Sequence, residues 1–146
     1  MTETSTLVGH VTNVDHQPDL VGNMFPVSTE HDVDSLEVVG RIPDGLRGAF
    51  IRNGPNPLFQ PIGRYHMFDG DGMLHSIRFG ESRLGEGTVS YRNRWIRSRG
   101  LEAEARLGRA VYPGLSDVMS FPDPALVGRA GPVKNPANTH IVRHAG

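Results

Sequence analysis

Glycine and proline interrupt this chain at short intervals, and this constrains its fold more than any other feature. The 146 residues include 18 Gly and 11 Pro, well above average usage. Such punctuation divides a chain into short elements joined by turns, as in sandwiches, barrels and propellers. Long helices are not expected, and the sequence predicts an all-β fold with many tight turns.

Short apolar runs bounded by turn residues predict strands. These runs lie at residues 36–39, 48–52, 73–79, 89–97 and 139–144. The Asn-Gly-Pro-Asn-Pro run at 53–57 is expected to be irregular, and a turn is predicted at 84–87. Only residues 101–109 are predicted to be helical, because Glu102 and Arg106 are four residues apart in a stabilising order.

The Asp-Gly-Asp-Gly run at residues 69–72 separates two apolar runs. Asp-Gly between apolar runs is a strong hairpin signal, because positive φ angles cost little there. The sequence therefore predicts a β-hairpin over residues 66–79, with Met73, Ile77 and Phe79 on its more buried face. The two Asp side chains are interpreted as turn caps, and Gly70 and Gly72 as the source of the turn's backbone angles.

Charge and composition exclude several classes of function. Fifteen basic and 16 acidic residues nearly cancel, and the pI of about 6.6 gives no reason to expect a nucleic-acid partner. The absence of Cys excludes disulfides, Cys-bound zinc and thiol catalysis. All basic residues but Lys134 are Arg, which we interpret as the composition bias of a high-GC bacterial genome rather than as an Arg-lined site. With no secretory signal or long apolar stretch, we expect a cytoplasmic protein.

The chain divides into two parts that differ in composition and in sequence pattern. Residues 1–17 are polar without a usable period, which predicts a flexible N-terminal tail. Residues 18–146 carry the strand and turn signals, and the last candidate strand reaches nearly to Gly146. We therefore expect residues 18–146 to be an incomplete part of one domain, poorly stable and prone to associate when isolated.

Three sequence blocks carry a family resemblance. The first runs from Gly22-Asn23 through Pro26-Val27 and continues with the Gly-Arg-Ile-Pro to Leu-Arg-Gly stretch at 40–48. The second is Arg-Asn-Gly-Pro-Asn-Pro at 52–57, and the third is the run from Tyr65 to His75 with its Asp-Gly-Asp-Gly centre. In this order and spacing they resemble the N-terminal region of the carotenoid cleavage oxygenase family, which includes a retinoid isomerohydrolase. The resemblance covers about residues 20–146.

The resemblance implies a seven-bladed β-propeller, here only its N-terminal part, with one short helix and long Pro/Gly-rich loops. It implies one Fe²⁺ held by four histidines, and O₂ that cleaves a conjugated C=C bond of a carotenoid, apocarotenoid or stilbene to carbonyl products. The iron ligands are expected downstream of this chain, so no catalytic, cofactor-binding or metal residue is predicted within it. The alternative is a truncated, catalytically inactive fragment or an interaction module, and no defined protein partner is implied.

Four histidines are predicted not to bind a metal ion. The resemblance assigns His66 and His75 to the scaffold, and His75 falls on an apolar face as a core histidine with one hydrogen bond. His140 and His144 share a face of a predicted strand but lie too far apart to hold one ion.

Other prominent residues also favour structural roles. Residues 69–80 lack the ligands of a calcium loop, since position five is Met73 and position twelve is Gly80. Arg52 and Asn53 are interpreted as a polar anchor, and Trp95 as a core residue. The apolar residues within 111–127 suggest peripheral membrane contact, although Asp117, Asp123 and the prolines argue against strong insertion.

Overall fold

The computed structural model describes residues 6–82, 85–117 and 119–144. Within them lie four strands, β1 (Asp32–Val33), β2 (Gly48–Pro55), β3 (Gly72–Ser82) and β4 (Gly85–Trp95). There are two α-helices, α1 (Arg99–Leu107) and α2 (Pro124–Val127), and 3₁₀ turns at Pro18–Leu20, Gly22–Met24, Met67–Asp69, Leu115–Asp117 and Gly128–Ala130. The prediction of mostly strands with few helices is confirmed for the part of the chain that the structure describes.

The four strands form one antiparallel sheet in the order β1-β4-β3-β2. The hairpin of β3 and β4 is its centre, paired from Met73 opposite Trp95 to Ser82 opposite Gly85. The predicted turn at residues 84–87 falls partly outside the described residues, and β4 already begins at Gly85. A long central hairpin leaves β2 as one edge of the sheet and the two-residue β1 as the other.

The hairpin predicted over residues 66–79 is wrong. Met67–Asp69 is a 3₁₀ turn, which His66 caps by accepting from the Phe68 N–H through Nδ1 at 3.1 Å. β3 pairs with β2, a strand that ends 17 residues before β3 begins. The predicted burial is confirmed, because Met73 is fully buried, Ile77 and Phe79 are half-buried and Arg78 is exposed.

Three strand boundaries also differ from prediction. β2 continues through the Asn-Gly-Pro run to Pro55, which an edge strand tolerates because it needs ladder hydrogen bonds on one side only. Residues 36–39 form no strand. The strand that pairs with β4 lies earlier in the chain, at β1, where Asp32 forms ion pairs with Arg92 and Arg94. Residues 139–144 are an irregular segment that pairs with no described strand.

Gly70 and Gly72 are required for close approach and not for positive φ angles. Gly70 has φ −64°, and a Cβ there would lie 2.8 Å from the Pro55 Cβ. A Cβ on Gly72 would collide with the Ala137 carbonyl oxygen. The interpretation of these glycines as sources of turn angles is therefore wrong, because Pro55 and Tyr65 lie against Gly70 and the segment that carries Ala137 crosses at Gly72.

Helix α1 confirms the one helical prediction with a shift of two residues. The Ser98 side chain accepts from the Leu101 N–H at 3.2 Å and caps the helix start. Gly108, at φ 68°, ends it in the left-handed region that glycine tolerates best. The four-residue α2 was not predicted, although Asp123 caps it in the usual way by accepting from the Ala125 N–H.

Two apolar clusters hold these elements together. The larger contains Leu58, Phe59, Met73, Trp95 and Leu101, and the smaller contains Val111, Tyr112 and Val127. Trp95 is a core residue as predicted, and its indole N–H donates to the Asn56 carbonyl at 2.8 Å.

The N-terminal segment lies against the larger cluster. The His10 ring stacks on Phe59 with 5.6 Å between ring centroids, and the His10 N–H donates to the Leu58 carbonyl at 2.6 Å. Gln60 further binds the backbone of Asn13. The division of the chain at residue 18 stays a prediction.

Candidate functional site

A mostly apolar cavity of about 600 Å³ opens between the segment after β2 and the segments after α1. Its apolar wall includes Pro57, Phe59, Ile62, Met67, Phe68, Tyr112, Leu115, Phe121 and Val133. Its polar lining includes Arg64, Asp69, Asp71, Glu104 and Lys134. A concave apolar surface with a few convergent polar groups is the usual form of a small-molecule site.

Three charged side chains meet at one wall of this cavity. The Lys134 Nζ lies 2.6 Å from the Asp71 Oδ1 and 2.5 Å from the Glu104 Oε2. Asp71 directly precedes β3, Glu104 lies on α1, and Lys134 belongs to the last described segment. Both carboxylates are buried, so this ion network, Asp71–Lys134–Glu104, joins three parts of the chain in the interior.

Each carboxylate of the ion network also accepts hydrogen bonds from the backbone. The Glu104 Oε1 accepts from the N–H groups of Val111 at 2.8 Å and Tyr112 at 3.1 Å. The Asp71 Oδ2 accepts from the Leu58 N–H at 3.1 Å. The network thus fixes the two backbone segments from which Phe59 and Tyr112 project, and these two side chains line the cavity.

The segment that carries Lys134 is tied across the start of β3. The Gly72 N–H donates to the Pro136 carbonyl at 2.7 Å, and the Asn53 Nδ2 donates to the Ala137 carbonyl at 2.9 Å. The Asn138 Nδ2 donates to the Gly70 carbonyl at 2.8 Å. Asn53 is therefore a polar anchor as interpreted, and its partner is the segment 134–138.

The electrostatics keep Lys134 charged. Burial alone would lower the pKa of Lys134, but the carboxylates of Asp71 and Glu104 outweigh it and raise that pKa. Burial raises the pKa of Asp71, partly offset by Lys134. A protonated amine held by two carboxylates is a poor nucleophile, so the geometry favours a positioning role for Lys134.

His75 lies within the sheet and has one polar partner, whereas His140 and His144 lie exposed. The His75 Nδ1 lies 2.8 Å from the Tyr91 hydroxyl oxygen on the half-buried face of the sheet, as expected for a core histidine with one partner. Burial, and secondarily Arg52, lower the His75 pKa. His140 and His144 lie exposed in the irregular last segment.

The described residues do not provide an iron site. Within residues 6–82, 85–117 and 119–144, no three His, Asp or Glu side chains lie close enough to hold one metal ion. A four-histidine centre therefore does not fit this part of the chain, and we derive no reaction step through iron here.

Sequence reasoning missed the ion network because it interpreted Asp71 as a turn cap. Asp69 does cap the 3₁₀ turn by accepting from the His66 N–H at 3.0 Å, but Asp71 points into the interior. One available signal was that Lys134 is the single Lys beside 14 Arg. A compact ammonium suits a space between two carboxylates better than a planar guanidinium does.

The ion network predicts that the effect of Glu104→Gln on the free energy of unfolding has opposite signs in the wild type and in the Lys134→Met background. Lys134→Met leaves two buried carboxylates without a cation and should cost about 3–5 kcal/mol of unfolding free energy. Glu104→Gln should destabilise the wild type, because Lys134 loses a partner. In the Lys134→Met background the same change should stabilise, because it removes one of two repelling charges.

Urea unfolding of the four proteins measures this cycle. Gln keeps the Oε1 that accepts from Val111 and Tyr112, so Glu104→Gln isolates the charge from these hydrogen bonds. An equal cost of Glu104→Gln in both backgrounds would show that the three charges are not coupled.

Comparison with known proteins agrees with this architecture. The chain is 38% identical over 133 residues to a carotenoid cleavage oxygenase of Mycobacterium tuberculosis, covering 88% of this chain and 23% of the relative. It is 45% identical over 94 residues to a chloroplastic 9-cis-epoxycarotenoid dioxygenase of Arabidopsis thaliana, covering 64% and 16%. The chain thus spans less than a quarter of each of these relatives.

A solved structure and a family profile complete the comparison. The lignostilbene dioxygenase of Pseudomonas brassicacearum superposes with a TM-score of 0.60 at 29% identity, over 73% of this chain and 21% of that one. No helix in the described residues is long and apolar enough to cross a membrane. The family profile described as retinal pigment epithelial membrane protein matches residues 24–146. The resemblance read from the sequence is confirmed, and the chain belongs to this carotenoid oxygenase family.

Proposed function

We propose that this chain is the N-terminal portion of a non-haem iron(II) dioxygenase that uses O₂ to cleave a conjugated C=C bond of a carotenoid, apocarotenoid or stilbene. The observation that carries the proposal is the family match over residues 24–146. The names of its relatives support it, since they include a carotenoid cleavage oxygenase and a lignostilbene dioxygenase. The products are two carbonyl compounds.

The proposal places iron and its four histidines on a seven-bladed propeller of which this chain forms the first part. The share of the relatives that the chain spans, 16–23% in the curated examples, supports this division. The role of the chain is then architectural. Its ion network and its segment 134–138 hold one side of an apolar cavity in place.

The cavity itself suits a conjugated substrate. Phe59, Tyr112 and Phe121 present aromatic surface to it, and flat conjugated molecules pack well against such surface. Lys134 contributes no free charge, because both of its carboxylate partners lie within ion-pair distance. We propose that this cavity forms part of the surface that receives the polyene or stilbene.

A chimaera tests the proposed activity. Residues of this chain replace the matched segment of the Mycobacterium tuberculosis relative, and ferrous binding and carbonyl products are measured with a carotenoid and a stilbene. We expect the chimaera to bind one iron and to cleave, and the 146-residue chain alone to do neither. Stoichiometric iron with aldehyde products from the 146-residue chain alone would show that its histidines had been misassigned.

Two phenylalanines provide a matched test of the cavity. Phe121 and Phe50 are 60% and 61% exposed, but only Phe121 lines the cavity. Because loss of aromatic contact weakens binding, Phe121→Ser should raise KM for a stilbene in the chimaera about tenfold, corresponding to about 1.4 kcal/mol. Phe50→Ser should leave KM unchanged, and equal effects of the two changes would contradict a role for the cavity.

Peripheral membrane contact is a further part of the proposal. Within residues 111–127, Leu115, Met119 and Phe121 are exposed while Val111 and Val127 are buried. Exposed apolar side chains close together in the chain favour contact with a lipid surface. Sedimentation with phosphatidylcholine vesicles should fall when Met119 is changed to Ser, and unchanged sedimentation would argue against the contact.

A further inference from the structure

A second, smaller cleft of about 250 Å³ lies on the outer face of α1, apart from the apolar cavity. Its lining consists of Arg99, Glu102, Arg106, Arg129 and Ala130, none of which lines the cavity. Arg99, Glu102 and Arg106 are three and four residues apart along α1 and so share one helix face. Arg129 lies opposite, on the 3₁₀ turn Gly128–Ala130. The Arg-rich composition, interpreted from sequence as a genomic bias only, thus includes an Arg-lined cleft.

The packing of the smaller apolar cluster holds the two sides of this cleft together. Leu107 at the end of α1, Leu126 on α2 and Ala130 all pack against Val111, Tyr112 and Val127. This contact fixes the turn that carries Arg129 against the helix that carries Arg106. The cleft is therefore a feature of the fold and does not depend on the conformation of a free loop.

The positive charges in the cleft are only partly balanced by the protein. Within residues 6–82, 85–117 and 119–144, Arg99, Arg106 and Arg129 form no ion pair, and Glu102 is the one acidic side chain in the lining. Three guanidinium groups around a small space repel one another. An anion placed between them would remove this repulsion.

The position of Arg99 adds a second reason for an anion. Arg99 is the first residue of the nine-residue α1, where the helix dipole presents its positive end. A cation there is unfavourable, whereas a negative charge is favoured. Ser98 already caps the Leu101 N–H, so the benefit of an anion would come from its charge and from the arginines.

We propose that the cleft binds a phosphate-type oxyanion through Arg99, Arg106 and Arg129. Guanidinium groups bind phosphate oxygens in pairs of parallel hydrogen bonds, which suits this clustering. Free phosphate compounds and the phosphate of a lipid headgroup share this chemistry. The exposed Met119 and Phe121 lie shortly before α2 in the chain, so the experiment includes both sources.

Equilibrium dialysis with radiolabelled pyrophosphate at low ionic strength tests the free-anion arm. The wild-type chain should bind one equivalent, and Arg106→Gln or Arg129→Gln should weaken binding about tenfold, because each removes charged hydrogen bonds. Arg78→Gln is the matched control, since Arg78 is exposed on β3 and absent from the cleft. It makes the same change of charge and should leave binding unchanged.

Vesicle sedimentation tests the lipid arm with the same variants. Phosphatidylcholine vesicles with and without phosphatidic acid are compared. Greater retention of the protein on vesicles that contain phosphatidic acid, if Arg129→Gln abolishes it, would assign the site to a lipid headgroup. Pyrophosphate binding without that retention would assign it to a free anion. The proposal is overturned if neither probe binds, or if all three variants weaken binding equally, because the arginines would then act only through net charge.

Discussion

A single, mostly buried cation organises the described part of this chain. Lys134 lies between the carboxylates of Asp71 and Glu104, which come from the start of β3 and from α1. A buried charge is tolerated only with a partner, so the three segments have to stay together. Because the carboxylates also accept backbone N–H groups of Leu58, Val111 and Tyr112, the position of one ammonium group sets the shape of the cavity wall.

Local patterns in the sequence were sufficient where the structure is local. The strand β4, the core position of Trp95 and the cap at Ser98 depend on near neighbours, and the first two are predicted from the sequence. The failures involve distant partners. The apolar run at residues 65–68 has no strand partner because β3 pairs with β2. Asp71 forms an ion pair with Lys134, which lies 63 residues away in the sequence. No period or turn signal encodes such a pairing, and the single Lys in the sequence marks Lys134 without identifying its two partners.

Contacts with residues distant in the sequence also explain why Gly70 and Gly72 are needed. Asp-Gly-Asp-Gly resembles a hairpin turn, but Gly70 and Gly72 are needed because Pro55, Tyr65 and the segment 134–138 approach the backbone closely. A motif that carries the family resemblance is thus a docking point for a later segment of the chain. This accounts for how a chain whose described residues hold no iron site can still carry a highly characteristic sequence of the family.

Native-state hydrogen exchange tests the central claim, that one cation fixes the cavity wall. The amides of Leu58, Val111 and Tyr112 donate to the ion network, and that of Gly72 donates to Pro136 in the segment 134–138. We predict that these four amides exchange slowly with one common opening free energy, and that Lys134→Met lowers it for all four more than for the β3–β4 sheet amides. Four unrelated opening free energies, or an unchanged set in Lys134→Met, would contradict it.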